Sequence, residues 1–386
     1  MRPYFYLALT VFLSIYYSLV YYIGTRFYRI LNHWVPKVNP LIYWITLFSV
    51  GSIYIITRIF NNYIPFKMAK VLVRIGAYWL GLMFYLVIIF FFIDFIIFLL
   101  KIGGIVDKSV VDTYWYLKLT GLSTLILIGV VLIYGTIMAR YPRIVEYDIT
   151  LPKGEGHLTE LTAVLISDIH LGKIIDNQRL NKMVKYIKEI DPDIIFIAGD
   201  IVDEDVGPFT KEKMYDTFGD LKPPYGIFAC LGNHDYIGGQ VDKVKVYLQK
   251  SGIEVLVDQY VKVESSFYIA GRMDPTGARI TGTPRKGLNQ WLVGLDKDLP
   301  IILLDHQPNA LEEAAEFGVH LLLAGHTHRG QMFPNRYITR LIYENDYGYS
   351  QKGKMQVIVS SGYGTWGPPI RIGTRGEIVK INIKFN

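Results

Sequence analysis

Cysteine is nearly absent: the 386 residues contain one, Cys230. That excludes an internal disulfide framework and leaves the redox compartment open. Its position inside an apolar run points to packing rather than reactivity. Charge is the second scarcity. Asp, Glu, Lys and Arg make up 19% of the chain and hydrophobic residues 51%, and the shortage is uneven. Before about Tyr141, four stretches carry few or no charges: residues 4–25, 38–57, 75–93 with an apolar extension to 100, and 119–139. Each is about 20 residues, enough to cross a hydrocarbon core of ~30 Å as a helix. A small-residue cleavage site after the first stretch is also missing, so it reads as a retained helix rather than a signal peptide. No basic cluster is present that would suggest nucleic acid, although the net charge is +6 and the pI about 9.0.

The chain therefore divides into a transmembrane region over 1–145 and a second domain over 146–386, where charges are interspersed among short apolar runs. Tyr21, Tyr22, Trp34, Trp44 and Trp115 lie near the ends of the apolar stretches, as expected at a membrane interface. Asp94 interrupts the third stretch, and a structural or interfacial role is expected for it before ion handling. Arg26, Arg29, Lys37, Lys101, Lys108 and Lys118 fall on one side of four crossings, and Arg2, Arg58, Lys67, Lys70, Arg74, Arg140 and Arg143 on the other. The small bias leans toward a cytoplasmic N-terminus and a cytoplasmic second half in a multi-pass protein of the cell membrane.

The second half alternates strand-like and helix-like segments. Residues 162–167, 194–198, 226–231, 301–304 and 319–324 read as buried strands. Residues 176–190 place Leu180, Met183, Val184 and Ile187 on one helical face, with Asp176 as N-cap, and 308–317 are amphipathic. An α/β sandwich follows. The residues just past the strands are Asp168-Ile169-His170, Gly199-Asp200, Gly232-Asn233-His234-Asp235, His306 and Gly325-His326-Thr327-His328. Five of the eight histidines fall there, and His33, His157 and His320 do not. Carboxylate and imidazole donors suit Mn, Fe or Zn and tolerate Mg, and a carboxylate can bridge two ions. A phosphate ester is anionic and resists attack, so paired cations that neutralise its oxygens and supply hydroxide near pH 7 suit this donor set. The glycines before Asp200, Asn233 and His326 are expected to allow sharp turns. Asp305 and Asp193 read as structural, as a strand-end acid and a turn residue.

In order and spacing these motifs resemble the five signatures of the calcineurin-like metallophosphoesterase superfamily, across essentially the whole second half. The resemblance implies a sandwich of two mixed β-sheets flanked by helices, here preceded by an all-α region of four transmembrane helices. It also implies two divalent ions, with Mn favoured. Asp168, His170 and His328 would hold the first, Asn233, His306 and His326 the second, and Asp200 would bridge. His234 would approach the substrate as a catalytic acid. Asp203 would orient it, with Asp235 as the alternative. The closing segments, Arg329-Gly330-Gln331, Ser361-Gly362-Tyr363-Gly364 and residues 367–373, resemble the bacterial YkuE-like and YaeI-like phosphodiesterase branch, some of whose members cleave the pyrophosphate of lipid-linked UDP sugars. Arg329 and Arg371 are candidate contacts to an anionic substrate.

The expected activity is hydrolysis of a phosphodiester, phosphomonoester or pyrophosphate, on a substrate that is lipid-linked or is met by a merely tethered enzyme. Membrane lipids are expected partners, with no nucleic acid and no obligate protein partner. No segment of the second half reads as a lipid-binding cap. Competing readings are a non-catalytic membrane receptor or transporter-like protein with a metal-binding domain, and a protein phosphatase.

Overall fold

The computed structural model describes residues 3–35, 37–153, 156–296 and 298–386; Arg2 and the side chain of Lys108, counted above among the basic flanks, lie outside that description. The chain forms two compact units, Met1–Gly135 with Gly367–Pro369, and Thr136–Trp366 with Ile370–Asn386.

Four helices long and apolar enough to cross a membrane make the first unit: α1 (Pro3–Trp34), α2 (Pro40–Ile59), α3 (Phe66–Ile102) and α4 (Tyr114–Arg140). They outrun the charge-free stretches because the flanking charges find partners without breaking the helix. Arg26 and Tyr22 both donate to one oxygen of Asp94 at 2.6 Å, joining α1 to α3, and Arg29 pairs with Asp112. Asp94 thus accepts from two donors of α1. Asn39 caps α2 by accepting from the Leu41 and Ile42 amides, with Pro40 at the first helical position.

The second unit is a sandwich of two six-stranded mixed sheets. Its strands are β1 (Arg143–Leu151), β2 (Glu160–Ile166), β3 (Ile194–Ala198), β4 (Ile227–Cys230), β5 (Ile253–Val255), β6 (Gln259–Val263), β7 (Phe267–Gly271), β8 (Ile301–Leu304), β9 (Leu321–Ala324), β10 (Gly348–Lys352), β11 (Met355–Val359) and β12 (Glu377–Phe385). One sheet has the order β1-β12-β2-β3-β4-β5 and the other β10-β11-β9-β8-β7-β6. β1 begins before the boundary expected at 145/146, because the whole stretch from Arg143 pairs in parallel with β12 from Glu377.

The apolar faces meet in one core, where Leu165, Phe196 and Phe228 of the first sheet join Ile269, Ile302 and Leu323 of the second. Cys230 is buried in the same core. Helix α5 (Asn177–Ile190) lays Leu180, Met183, Val184 and Ile187 inward, and Asp176 caps it by accepting from the Arg179 amide. Asp193 accepts the Thr162 amide at 2.7 Å, the turn role expected of it. β2, β3 and β4 run parallel in one sheet and β8 and β9 in the other, so their C-terminal ends present five loops.

Candidate metal centre

All seven residues expected as metal ligands sit on those loops and converge. Asp168, His170, Asp200, His326 and His328 each take a positive φ, between 48° and 71°. Left-handed backbone is costly for residues with a Cβ, and such strain clusters where the fold holds side chains in a set geometry. Here it turns side chains off the strand ends into one buried space. The glycines serve mainly as gaps. A Cβ on Gly232 would sit 2.1 Å from an Asp200 oxygen, and one on Gly325 2.3 Å from an Asp168 oxygen. Of the three glycines expected to allow turns, only Gly199 has a positive φ, of 80°.

Two groups of donors face each other. In the first, His170 Nε2 lies 3.1 Å from His328 Nε2, which lies 3.4 Å from an Asp168 oxygen. In the second, His306 Nε2 lies 3.2 Å from Asp200 Oδ2, 3.1 Å from Asn233 Oδ1 and 3.3 Å from His326 Nδ1. Asp200 Oδ2 is also 3.7 Å from His170 Nε2, so this oxygen lies between the groups. Ligands bound at ~2.1 Å stand about 3.0–3.4 Å apart in octahedral or tetrahedral geometry. The measured edges fall at that spacing, and Asp168, His170 and His328, like Asp200, His306 and His326, could hold a metal ion. A third group, His170, Asp203 and His234, also has donors close enough for an ion.

Contacts behind the donors fix which atom faces inward. His306 Nδ1 lies 2.7 Å from the Ala198 carbonyl, which leaves Nε2 toward Asp200. Asp168 accepts the His326 amide through both oxygens, and Asp200 accepts the His234 amide at 2.8 Å. Burial alone would push Asp200 up, but His306 and then His170 and His234 hold it well below the ordinary carboxylate range. Burial likewise works against a charge on His306, yet Asp200 raises it well above 6.5. A cation binding at His306 Nε2 would compete with a proton there, so metal binding and proton release are linked. Burial lowers His170, His328 and His326 toward the neutral form that binds metal; Arg371 adds to it at His328 and His306 at His326, while Asp200 opposes it at all three.

His234 lies beside the first group, its ring 4.8 Å from that of His170. Its Nδ1 is 3.8 Å from Asp203 but 3.3 Å from Glu204, in ion-pair geometry. Burial pulls this imidazole down, but Glu204, then Asp200 and Asp203, outweigh it and hold the pKa at about 9. Glu204 was missed in the sequence, where one more acid in Asp203-Glu204-Asp205 carries no signal. Asp235, the alternative orienting residue, is occupied elsewhere: it accepts the amides of Gly232, Val202 and Ile201.

Of the two arginines expected to touch substrate, Arg371 lies behind the donors and Arg329 rests on a tyrosine. Arg371 is 0% exposed and donates to the carbonyls of Ser361, Gly362 and Gly364, while its Nη2 lies 3.1 Å from His328 Nδ1. The polar loop of residues 361–364 supplies enough acceptors to bury it. It positions His328 from behind. The Arg329 guanidinium stacks over the Tyr347 ring at 4.2 Å. His33, His157 and His320 lie outside the site, His320 accepting the Ile301 amide. Asp305 pairs with Arg272 and Arg285, the structural role expected.

The family profile described as calcineurin-like phosphoesterase matches residues 161–330. A Danio rerio protein named "Transmembrane protein with metallophosphoesterase domain" is 34% identical over 272 residues, 67% of this chain and 62% of that one. The chain thus spans less than two thirds of that relative. An "Uncharacterized metallophosphoesterase" of Aquifex aeolicus is 34% identical over 257 residues, 65% of this chain and 95% of that one. Another, from Campylobacter jejuni, is 32% identical over 297 residues, 75% of this chain and 76% of that one. Near-complete coverage of the Aquifex protein, with the converged donors, makes this chain a member of the calcineurin-like phosphoesterase family with candidate membrane-spanning helices before its phosphoesterase fold.

Proposed function

We propose that the chain is a membrane-anchored phosphoesterase that binds two divalent ions and hydrolyses a phosphodiester. The observation that carries this is Asp200 Oδ2 standing between two donor groups spaced like the edges of coordination polyhedra. Asp168, His170 and His328 would hold one ion and Asn233, His306 and His326 the other, with Asp200 available to both. Mn is favoured for this mixture of oxygen and nitrogen donors, with Fe, Zn and Mg compatible. When bound, the ions neutralise phosphate oxygens and supply hydroxide near neutral pH. His234, held as the imidazolium, keeps its Nδ1 proton toward Glu204 and Asp203 and gives the Nε2 proton to the departing oxygen. Arg371 keeps His328 turned toward its ion. The substrate class proposed is a phosphate ester or diphosphate carried on a lipid, and the catalytic half is proposed to be cytoplasmic.

The test uses the full chain, purified in detergent, stripped with chelator and reloaded with Mn. Cleavage of bis(p-nitrophenyl) phosphate should return with metal, exceed that of p-nitrophenyl phosphate, and fall ~10²–10⁴-fold in His234→Ala, the usual range for loss of a general acid. Two bound metals with no cleavage of either ester would refute it.

A further inference from the structure

One loop, residues 326–331, carries the last two candidate ligands and also braces two apolar protrusions. The first is the helix Arg336–Ile342, which has no buried residue. Tyr337, Ile338, Leu341 and Ile342 are exposed on it, Leu341 at 87%. The second is Trp366, 55% exposed. Exposed apolar side chains elsewhere in this unit, such as Val246 and Val293, are not gathered on one element. Exposed apolar side chains gathered on one short helix mark an interaction surface.

The patch is held firmly and borders the donors. Thr339 donates to the Asp346 carboxylate at 2.6 Å, while Thr327, between the two histidines, donates to the Asp346 carbonyl at 2.6 Å. The Gln331 side chain bonds both backbone groups of Trp366 at 2.9 Å. The Trp366 ring is 5.9 Å from that of His234, and Tyr343, just past the helix, is 6.0 Å from His326.

We propose that the helix Arg336–Ile342 and Trp366 form a docking surface that enters the interface of an anionic bilayer beside the metal centre. The charge favours lipid over a protein partner. Residues 333–343 contain two arginines and no acid. Arg336 lies over the rings of Phe333 and Tyr337, at 5.5 and 5.0 Å, and Arg340 is exposed. Aliphatic and aromatic side chains with basic heads among them match acyl chains below anionic head groups. Tryptophan prefers that boundary. A chain with four helices long and apolar enough to span a membrane keeps a bilayer within reach. Docking there would offer lipid-borne phosphate to the donors; only this purpose rests on the proposed reaction.

Cys230 is buried, so Leu341→Cys supplies one reactive thiol for a bimane label. The full chain goes into nanodiscs of phosphatidylcholine with and without phosphatidylglycerol, and with doxyl lipids as quencher. The label at 341 should lose emission to the quencher and shift to the blue, more so with phosphatidylglycerol, while a label at Val293→Cys should do neither. Equal behaviour of the two labels would overturn the docking surface. So would disulfide capture of Leu341→Cys by a second copy, which would assign the patch to self-association. In a second arm, Ile338→Asp with Leu341→Asp should slow cleavage of phosphatidyl-p-nitrophenol in the disc at least ~10-fold, as loss of buried apolar contact weakens interfacial binding. Cleavage of soluble bis(p-nitrophenyl) phosphate should not change, and equal slowing of both esters would overturn the proposal. Inactivity of the wild type on both esters would count against the reaction and leave the quenching result to decide the docking.

Discussion

Replacing Arg371 by Met separates two roles for a buried cation beside a metal ligand. The guanidinium is fully buried and bonds the Ser361 and Gly364 carbonyls at 2.7 Å each. Its longer contacts reach the Gly362 carbonyl at 3.2 Å and His328 Nδ1 at 3.1 Å. Methionine fills much of the volume but donates nothing. Hydrogen bonds to a charged group contribute ~1.5–3 kcal/mol each, so losing the two short ones costs about 3–6 kcal/mol. At ~2–4 °C per kcal/mol for a domain of this size, the melting temperature should fall by about 6–24 °C. The assay is calorimetry of the full chain in detergent with metal present, alongside kinetics on bis(p-nitrophenyl) phosphate. The positioning role predicts a large fall in melting temperature, weaker retention of the ion at His328, and a lower kcat with KM little changed. A raised KM at unchanged melting temperature would restore the substrate contact expected from sequence and refute the positioning role.

Gly232→Ala places a Cβ 2.1 Å from an Asp200 oxygen and 2.4 Å from its nitrogen. The Asp200 carboxylate must move, so if it joins two ions as proposed, metal content should drop below two per chain while the circular dichroism spectrum stays native; full metal content would contradict this. Glu204→Gln tests the charge on His234. A pKa raised to about 9 in the fold stabilises the metal-free chain fully below the unfolded value of ~6.5 and ceases to do so as pH rises through about 9. The difference in urea midpoint between wild type and Glu204→Gln should therefore shrink from pH 6 to pH 9.5, and a constant difference would rule the pairing out.

Much of the site was legible because the donors stand at fixed offsets past apolar runs: Asp168 and His170 after β2, Asp200 after β3, His306 after β8, His326 and His328 after β9. What was not legible depends on contacts between distant segments. Arg371 reads like any arginine in a glycine-rich turn until the loop 361–364 folds around it. Glu204 gains its place only when the turn after β3 meets the helix Asn233–Ile237. In the fold, the five recognised strands have continuous apolar runs, but so does the unrecognised β7, whose Phe267–Gly271 is buried throughout. β1, β6, β10 and β12 mix charged residues with apolar ones, since they lie at edges or expose one face, and their pattern is weaker. The helix Arg336–Ile342 is too short for helical periodicity to register, and its exposure appears only in three dimensions.

The central claim is a dinuclear centre joined through Asp200, and the most direct test is metal counting on the purified full chain. Elemental analysis after Mn loading and gel filtration should give two ions per wild-type chain. Asp200→Asn should retain fewer than two and lose metal-dependent ester cleavage in the same sample. Two ions retained by Asp200→Asn with cleavage intact, or a wild-type chain that never exceeds one, would contradict the account.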